Sequence, residues 1–192
     1  MGLFDFGKLK KATTSSATAV AILFLSLFMN VCTAQTKTID STSHGKNIKE
    51  QADKMGQSLL KKDYKGFAVY TYPKVLAMMG GEGKMIEFLE KSAKEMAAEK
   101  MSISKVTFGE PSKIITNGKE LQGTIPQTIE LKMPDGRLVS TSTLIFISTD
   151  NGKKWYFLDT SGKDIQTMRK IFSNLSEHLI IPKKEEPVLH DN

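Results

Sequence analysis

The chain has 192 residues, 40% of them hydrophobic and 25% charged, with six prolines, one cysteine and a net charge of +6. This is globular composition at single-domain length, able to build a core without disulfides or metals, and it excludes a disordered or disulfide-stapled class. The basic excess does not indicate nucleic acid. Lysines beyond the N-terminal leader are scattered, with nothing longer than a pair, and Arg137 and Arg169 are the only arginines, whereas phosphate and base-edge recognition favours clustered arginine.

Residues 1–34 read as a secretory signal peptide. Lys8, Lys10 and Lys11 form a basic n-region, and an apolar run from Ala19 to Met29 follows a Ser/Thr-rich ramp. That run is short of the roughly 20 residues that span a bilayer core. Cys32-Thr33-Ala34 puts small residues at −3 and −1 of a cut between Ala34 and Gln35, leaving about 158 residues. The expected location is exported, periplasmic or extracellular, with no stable membrane insertion after cleavage. Cleavage lowers the net charge to +4 and removes the only thiol. Two rivals stay open. Lipid anchoring at Cys32 would need a small residue where Val31 stands, and N-myristoylation after Met1-Gly2 would need Ser or Thr where Phe6 stands.

Residues 35–46 are polar and read as a linker. A helix is expected from Asn47, with Glu50 three residues on completing a capping box, and Ile48, Ala52, Met55, Leu59 and Leu60 making one apolar stripe. Lys61 and Lys62 fall at its C-terminus, where positive charge complements the dipole. The aromatic segment Tyr64–Tyr72 breaks at Pro73, which opens a short helix ended by Gly80-Gly81. A longer helix spans about 82–100, with Met85, Ile86, Leu89, Ala93, Met96 and Ala97 inward and Glu87–Lys91 and Glu90–Lys94 as exposed pairs.

From Met101 the period becomes two. Strands are expected over 101–108, 119–133, 137–149 and 153–159, with turns at Asn117-Gly118, Pro134-Asp135-Gly136 and Asp150-Asn151-Gly152. The second alternates in Ile125, Gln127, Ile129, Leu131 and Met133. Ile165, Met168, Phe172 and Leu175 mark a C-terminal amphipathic helix, and residues 182–192 a charged, surface-lying tail. The domain is thus residues 47–181 and α+β, with N-terminal helices packed on a curved antiparallel sheet and a C-terminal helix.

This order of elements, with the short Tyr-Pro helix ending in Gly80-Gly81 and the closing strand Asp150-Asn-Gly-Lys-Lys-Trp-Tyr-Phe-Leu-Asp159, resembles the nuclear-transport-factor-2-like, SnoaL-like (cystatin-like cone) superfamily over about residues 47–160. The resemblance implies a cone with a pocket. Members include hydratases, isomerases and cyclases as well as exported binding modules, so it implies a site more than a reaction. The C-terminal helix departs from the simplest members and leaves open whether the mouth is clear.

Chemical motifs are few. His44, His178 and His190 form no metal-ligand spacing, and no cofactor or metal is expected. His178 is placed near the end of the terminal helix. Gly80-Gly-Glu-Gly-Lys84 lacks the first glycine and the Ser/Thr of a phosphate loop. No nucleophile elbow surrounds a serine, and Asp150-Asn151-Gly152 lacks the following ligands of a calcium loop. Trp155, Phe157 and Asp159 share one strand face. With Tyr70 and Tyr72 they are the candidate pocket residues, and Asp159 is a candidate general base hydrogen-bonded by a tyrosine. Met78, Met79, Met85 and Met96 suggest an adaptable apolar surface. Two functions follow: a module binding a small apolar ligand or an envelope protein partner, or a cofactor-free isomerase or hydratase using Asp159. A structural role in an envelope assembly is the third.

Overall fold

The computed structural model describes residues 41–191. The leader, Cys32 and the Ala34–Gln35 cut lie outside these residues. The order is α1 (Ser41–Leu60), α2 (Tyr64–Ala68), α3 (Pro73–Met78), α4 (Glu82–Ala98), β1 (Ser102–Phe108), β2 (Ile115–Asn117), β3 (Glu120–Met133), β4 (Gly136–Ser148), β5 (Tyr156–Asp159), α5 (Ile165–Ile171) and β6 (Val188–Asp191). The class is α+β, and the described residues form six antiparallel strands in one open sheet and five helices.

Helix α1 begins six residues before the expected Asn47, which therefore caps nothing. The Asn47 amide instead donates to the Gly152 carbonyl (2.9 Å) and accepts from Gln51 (2.8 Å), so it ties the helix to the β4–β5 turn. His44 belongs to this helix, not to a linker. The segment read as simply aromatic contains α2, capped by Asp63, whose carboxylate accepts from the Gly66 N–H at 2.9 Å. Helices α1, α3 and α4 all end in a six-to-one backbone bond, Asp63 to Ser58, Gly81 to Leu76 and Met101 to Met96. The residue in the left-handed region is a glycine only after α3 (Gly80); elsewhere it is Lys62 or Lys100. On α4 the ion pairs are Lys84–Glu87 and Lys91–Glu95, not the two expected from sequence.

The sheet is two long strands with a divided strand at each edge. β3 pairs with β4 through thirteen residue pairs, from Leu121↔Ser148 to Met133↔Gly136. β1 and β2 share the outer edge of β3, and β5 and β6 share the outer edge of β4. Pro126 sits inside β3, between the last pairing of β1 (Phe108↔Gln127) and the first of β2 (Ile115↔Gln122). Its carbonyl accepts from the Gly109 N–H at 3.0 Å, so the missing N–H faces the gap between the two partners, where no ladder bond is lost.

Two apolar clusters occupy opposite faces of β4. Leu144 and Phe146 join Ile48, Ala52 and Met55 of α1, together with Ile125, Trp155 and Phe157. Ile145 and Ile147 join Leu158, Met168 and Phe172, together with Leu175 and Leu179. The run 144–148 is therefore buried at every position, as expected of a strand covered on both sides. Phe146 lies across Gly123, its register partner on β3.

The C-terminal helix is shorter than its apolar spacing suggests. It stops at Ile171, and Leu175 and Leu179 are buried from an irregular segment. The Asn174 carbonyl accepts from Asn117 (2.8 Å) and Gln122 (2.9 Å), and the Leu175 carbonyl from Arg169 (3.1 Å). Side chains thus take the acceptors that another helical turn would use. His178 consequently lies beyond the helix. The tail ends in β6, which pairs with β4 from Gly136↔Asp191 to Val139↔Val188 and leaves all four residues exposed.

A Cβ on Gly123 would stand 2.2 Å from the tip of the Phe146 ring, and the Gly123 backbone is not in the left-handed region. Gly123→Ala is accordingly expected to destabilise the fold by about 1–3 kcal/mol through overpacking. Urea unfolding measures this, and an unchanged midpoint would contradict the packing described.

Candidate functional site

A cavity of about 620 Å³ opens where α1–α4 meet β1 and β3, and it continues around the end of β5 to α5. The wall is largely apolar. Met55, Met78, Met79, Met85 and Met168 contribute to it, with branched and aromatic side chains such as Leu59, Ile103, Ile129 and Phe157. Met78 and Ile171 are both wall residues and exposed, which places apolar surface at the rim. Thioether side chains are flexible and polarisable, and suit a surface that adapts to its contents.

The strand-like run 70–72 contributes Thr71 to the wall of this cavity. Phe157 N–H donates to the Tyr70 carbonyl (2.7 Å) and Tyr72 N–H donates to the Phe157 carbonyl (3.0 Å). Thr71, the residue between the two tyrosines, is the one that lines the cavity. Tyr70 instead packs beside the first cluster with the Lys154 ammonium 3.6 Å from its ring centroid. Burial pushes the Lys154 amine below its usual range, Asp150 opposing and Lys54 reinforcing the shift. Tyr72 is buried in the second cluster, and its hydroxyl accepts from Asn174 at 2.9 Å.

Of the four aromatic candidates from sequence, the structure brings only Phe157 to the cavity wall. Trp155 is fully buried in the first cluster, with the Phe146 ring edge-on at 5.2 Å and His44 at 6.0 Å. Asp159 does line the cavity, at an exposed turn where its carboxylate accepts from the Ser161 N–H at 2.7 Å. Among the described residues it is the only acid lining the cavity, and neither Tyr70 nor Tyr72 lines it. Met78, Met79 and Met85 are brought together here, whereas Met96 lines a smaller hollow beside Leu59 and Leu60.

Sequence reasoning missed the polar wall residues. Thr71 donates to the Phe67 carbonyl (3.4 Å) and Thr160 to the Thr143 carbonyl (2.9 Å), so both hydroxyls are satisfied locally. Among the described residues no three His, Cys, Asp or Glu side chains converge as a metal site, and no helix is long and apolar enough to cross a membrane. Comparison with protein-family models, curated proteins and solved structures finds no match to this chain.

Asp150, considered as the start of a calcium loop, is engaged by the turn itself. Its carboxylate accepts from the Ser148 hydroxyl (2.8 Å) and from the N–H groups of Lys153 (3.1 Å) and Lys154 (2.9 Å). Burial pushes this carboxyl up, but those hydrogen bonds outweigh it and hold it below the usual carboxylate range. Asp164, capping α5 through the Thr167 N–H, is lowered mainly by that bond. A folded-state value below the unfolded one stabilises the fold above roughly pH 4, and the gain disappears as pH falls through the folded value. Asp150→Asn should therefore flatten the loss of stability between neutral and acid pH. Thermal unfolding followed across that range tests it, and a slope identical to wild type would remove Asp150 from the account.

Proposed function

We propose that this chain is an exported, non-enzymatic module that takes up a small apolar ligand. In this reading the N-terminal helices pack on a curved sheet to form a cone of the nuclear-transport-factor-2-like, SnoaL-like kind, and the cavity is its interior. The observation that carries the proposal is the methionine-rich cavity itself, of about 620 Å³ with an apolar rim. That volume is within the range of small-molecule sites, which are characteristically apolar with a few placed polar groups. The alternative of a cofactor-free isomerase or hydratase has Asp159 in the wall in its favour. It lacks the tyrosine partner it calls for, because the Tyr72 hydroxyl is held by Asn174 and Tyr70 lies under Lys154.

Titration with a fluorescent apolar dye should give saturable binding to the purified protein. Ile129→Trp, which adds bulk at a half-buried wall position, should weaken that binding by about tenfold or more while circular dichroism stays unchanged. Dye binding that is absent in wild type, or indifferent to the added indole, overturns the proposal. Export is tested separately by intact mass of the protein recovered outside the cytoplasm. The expected species begins at Gln35 and carries no lipid; one that retains Cys32 would replace the soluble reading with an anchored one.

A further inference from the structure

Three glutamines are more than nine-tenths buried, and they differ in one respect. Gln51 (8% exposed) accepts from the Trp155 N–H at 3.0 Å and donates to Asn47 (2.8 Å) and the Lys153 carbonyl (2.9 Å). Gln122 (0%) accepts from the Ser176 N–H at 2.9 Å and donates to Glu120 (2.7 Å) and the Asn174 carbonyl (2.9 Å). Gln127 (6%) lines the cavity, and its side-chain amide has no hydrogen-bond partner among the described residues. Its backbone is paired with Phe108 and Ser142, so the residue is held firmly with the amide unspent. The amide opens onto the cavity and is not sealed in the core, since the fully enclosed side-chain nitrogen without a partner among the described residues is Trp155 Nε1. The Gln127 amide is therefore free to pair with whatever occupies the cavity.

Position 127 falls on the inward parity of β3, between Ile125 of the first cluster and Ile129 of the cavity wall. An apolar residue there would complete the wall. The other buried polar wall groups, Thr71 and Thr160, already spend their protons on backbone carbonyls. The charged wall residues, Asp159 and Lys163, are exposed, and no buried cation faces the cavity among the lining residues. A charged ligand group at this depth would be unpaired and strongly disfavoured.

We propose that Gln127 is the specificity residue of the cavity and that its ligand is a mostly apolar, uncharged molecule carrying a carbonyl-type acceptor, which takes the Gln127 amide N–H. This rests on the reading of the cavity as a ligand site and deepens it by naming the ligand's polar group.

The probes are fluorene and 9-fluorenone, nearly matched in shape and differing by one carbonyl. Their dissociation constants are measured with wild type and with Gln127→Met, which preserves side-chain length and removes the hydrogen bond. Taking the ratio of the two constants in each protein cancels the difference in hydration between the probes. The fluorenone preference should fall by about tenfold in the variant, with fluorene binding retained or improved as the sign that the cavity is intact. A preference unchanged by the substitution overturns the role of Gln127 while leaving the cavity reading in place. Failure of wild type to bind either probe overturns both. Should the variant not fold, the infrared carbonyl stretch of 9-fluorenone bound to wild type decides. A frequency lowered from that in hydrocarbon solvent supports the hydrogen bond, and an unshifted one overturns it.

Discussion

The structure depends on the end of one strand, residues 144–148 of β4, that has no solvent face. Leu144, Ile145, Phe146 and Ile147 each exchange water for packed side chains, at about 1.5–3 kcal/mol per residue, and alternate members point to opposite sides. Such a strand is stable only if both sides are covered. α1 supplies one cover, while α5 and the irregular segment after it supply the other. The rest of β4, from Arg137 to Thr143, is partly exposed, so the demand for covering elements is concentrated at one end of the sheet. The cavity lies where those covers meet around the end of the short strand β5.

Polar side chains then fix the covers in place. Gln51 holds the closing strand against α1 and Gln122 holds the C-terminal segment against β3, each with donor and acceptor both used. These contacts add direction to what hydrophobic burial leaves non-directional. Asn174 plays a related part, joining Tyr72, Glu120 and Lys74 through a single amide.

β1, β3, β4, β5 and the long helices were legible because each carries a sustained period and a turn residue at its end, whereas β2 and β6, of three and four residues, are too short to show a period and were not read as strands. What sequence obscured has local causes. Ser41–Lys46 has no apolar period, yet it is helical as the first turns of α1, with His44 edge-on to Trp155. α2 has five residues, too few for a period to register, although Asp63 signals its start. The expected terminal helix ends early because the competing hydrogen bonds come from residues more than fifty positions away in the chain. In the cavity, three of the four methionines singled out were brought together. The tyrosines were read as pocket residues whose hydroxyls could partner Asp159, whereas the wall position between them belongs to a threonine. Gln127 was visible as a polar residue on the apolar parity of its strand, a signal that only gains meaning once burial is known.

The C-terminal strand carries a consequence for association between molecules. β6 hydrogen-bonds to β4 over Gly136–Val139 with all four of its own residues exposed, so its side chains contribute little to the core. While in place it occupies backbone groups that would otherwise template another chain. Its approach through Lys183, Lys184, Glu185, Glu186 and Pro187 is charged and ends in proline, a composition that resists further strand addition. Residues 188–191 thus stand as a guard over this stretch of the sheet's edge, built from backbone pairing alone.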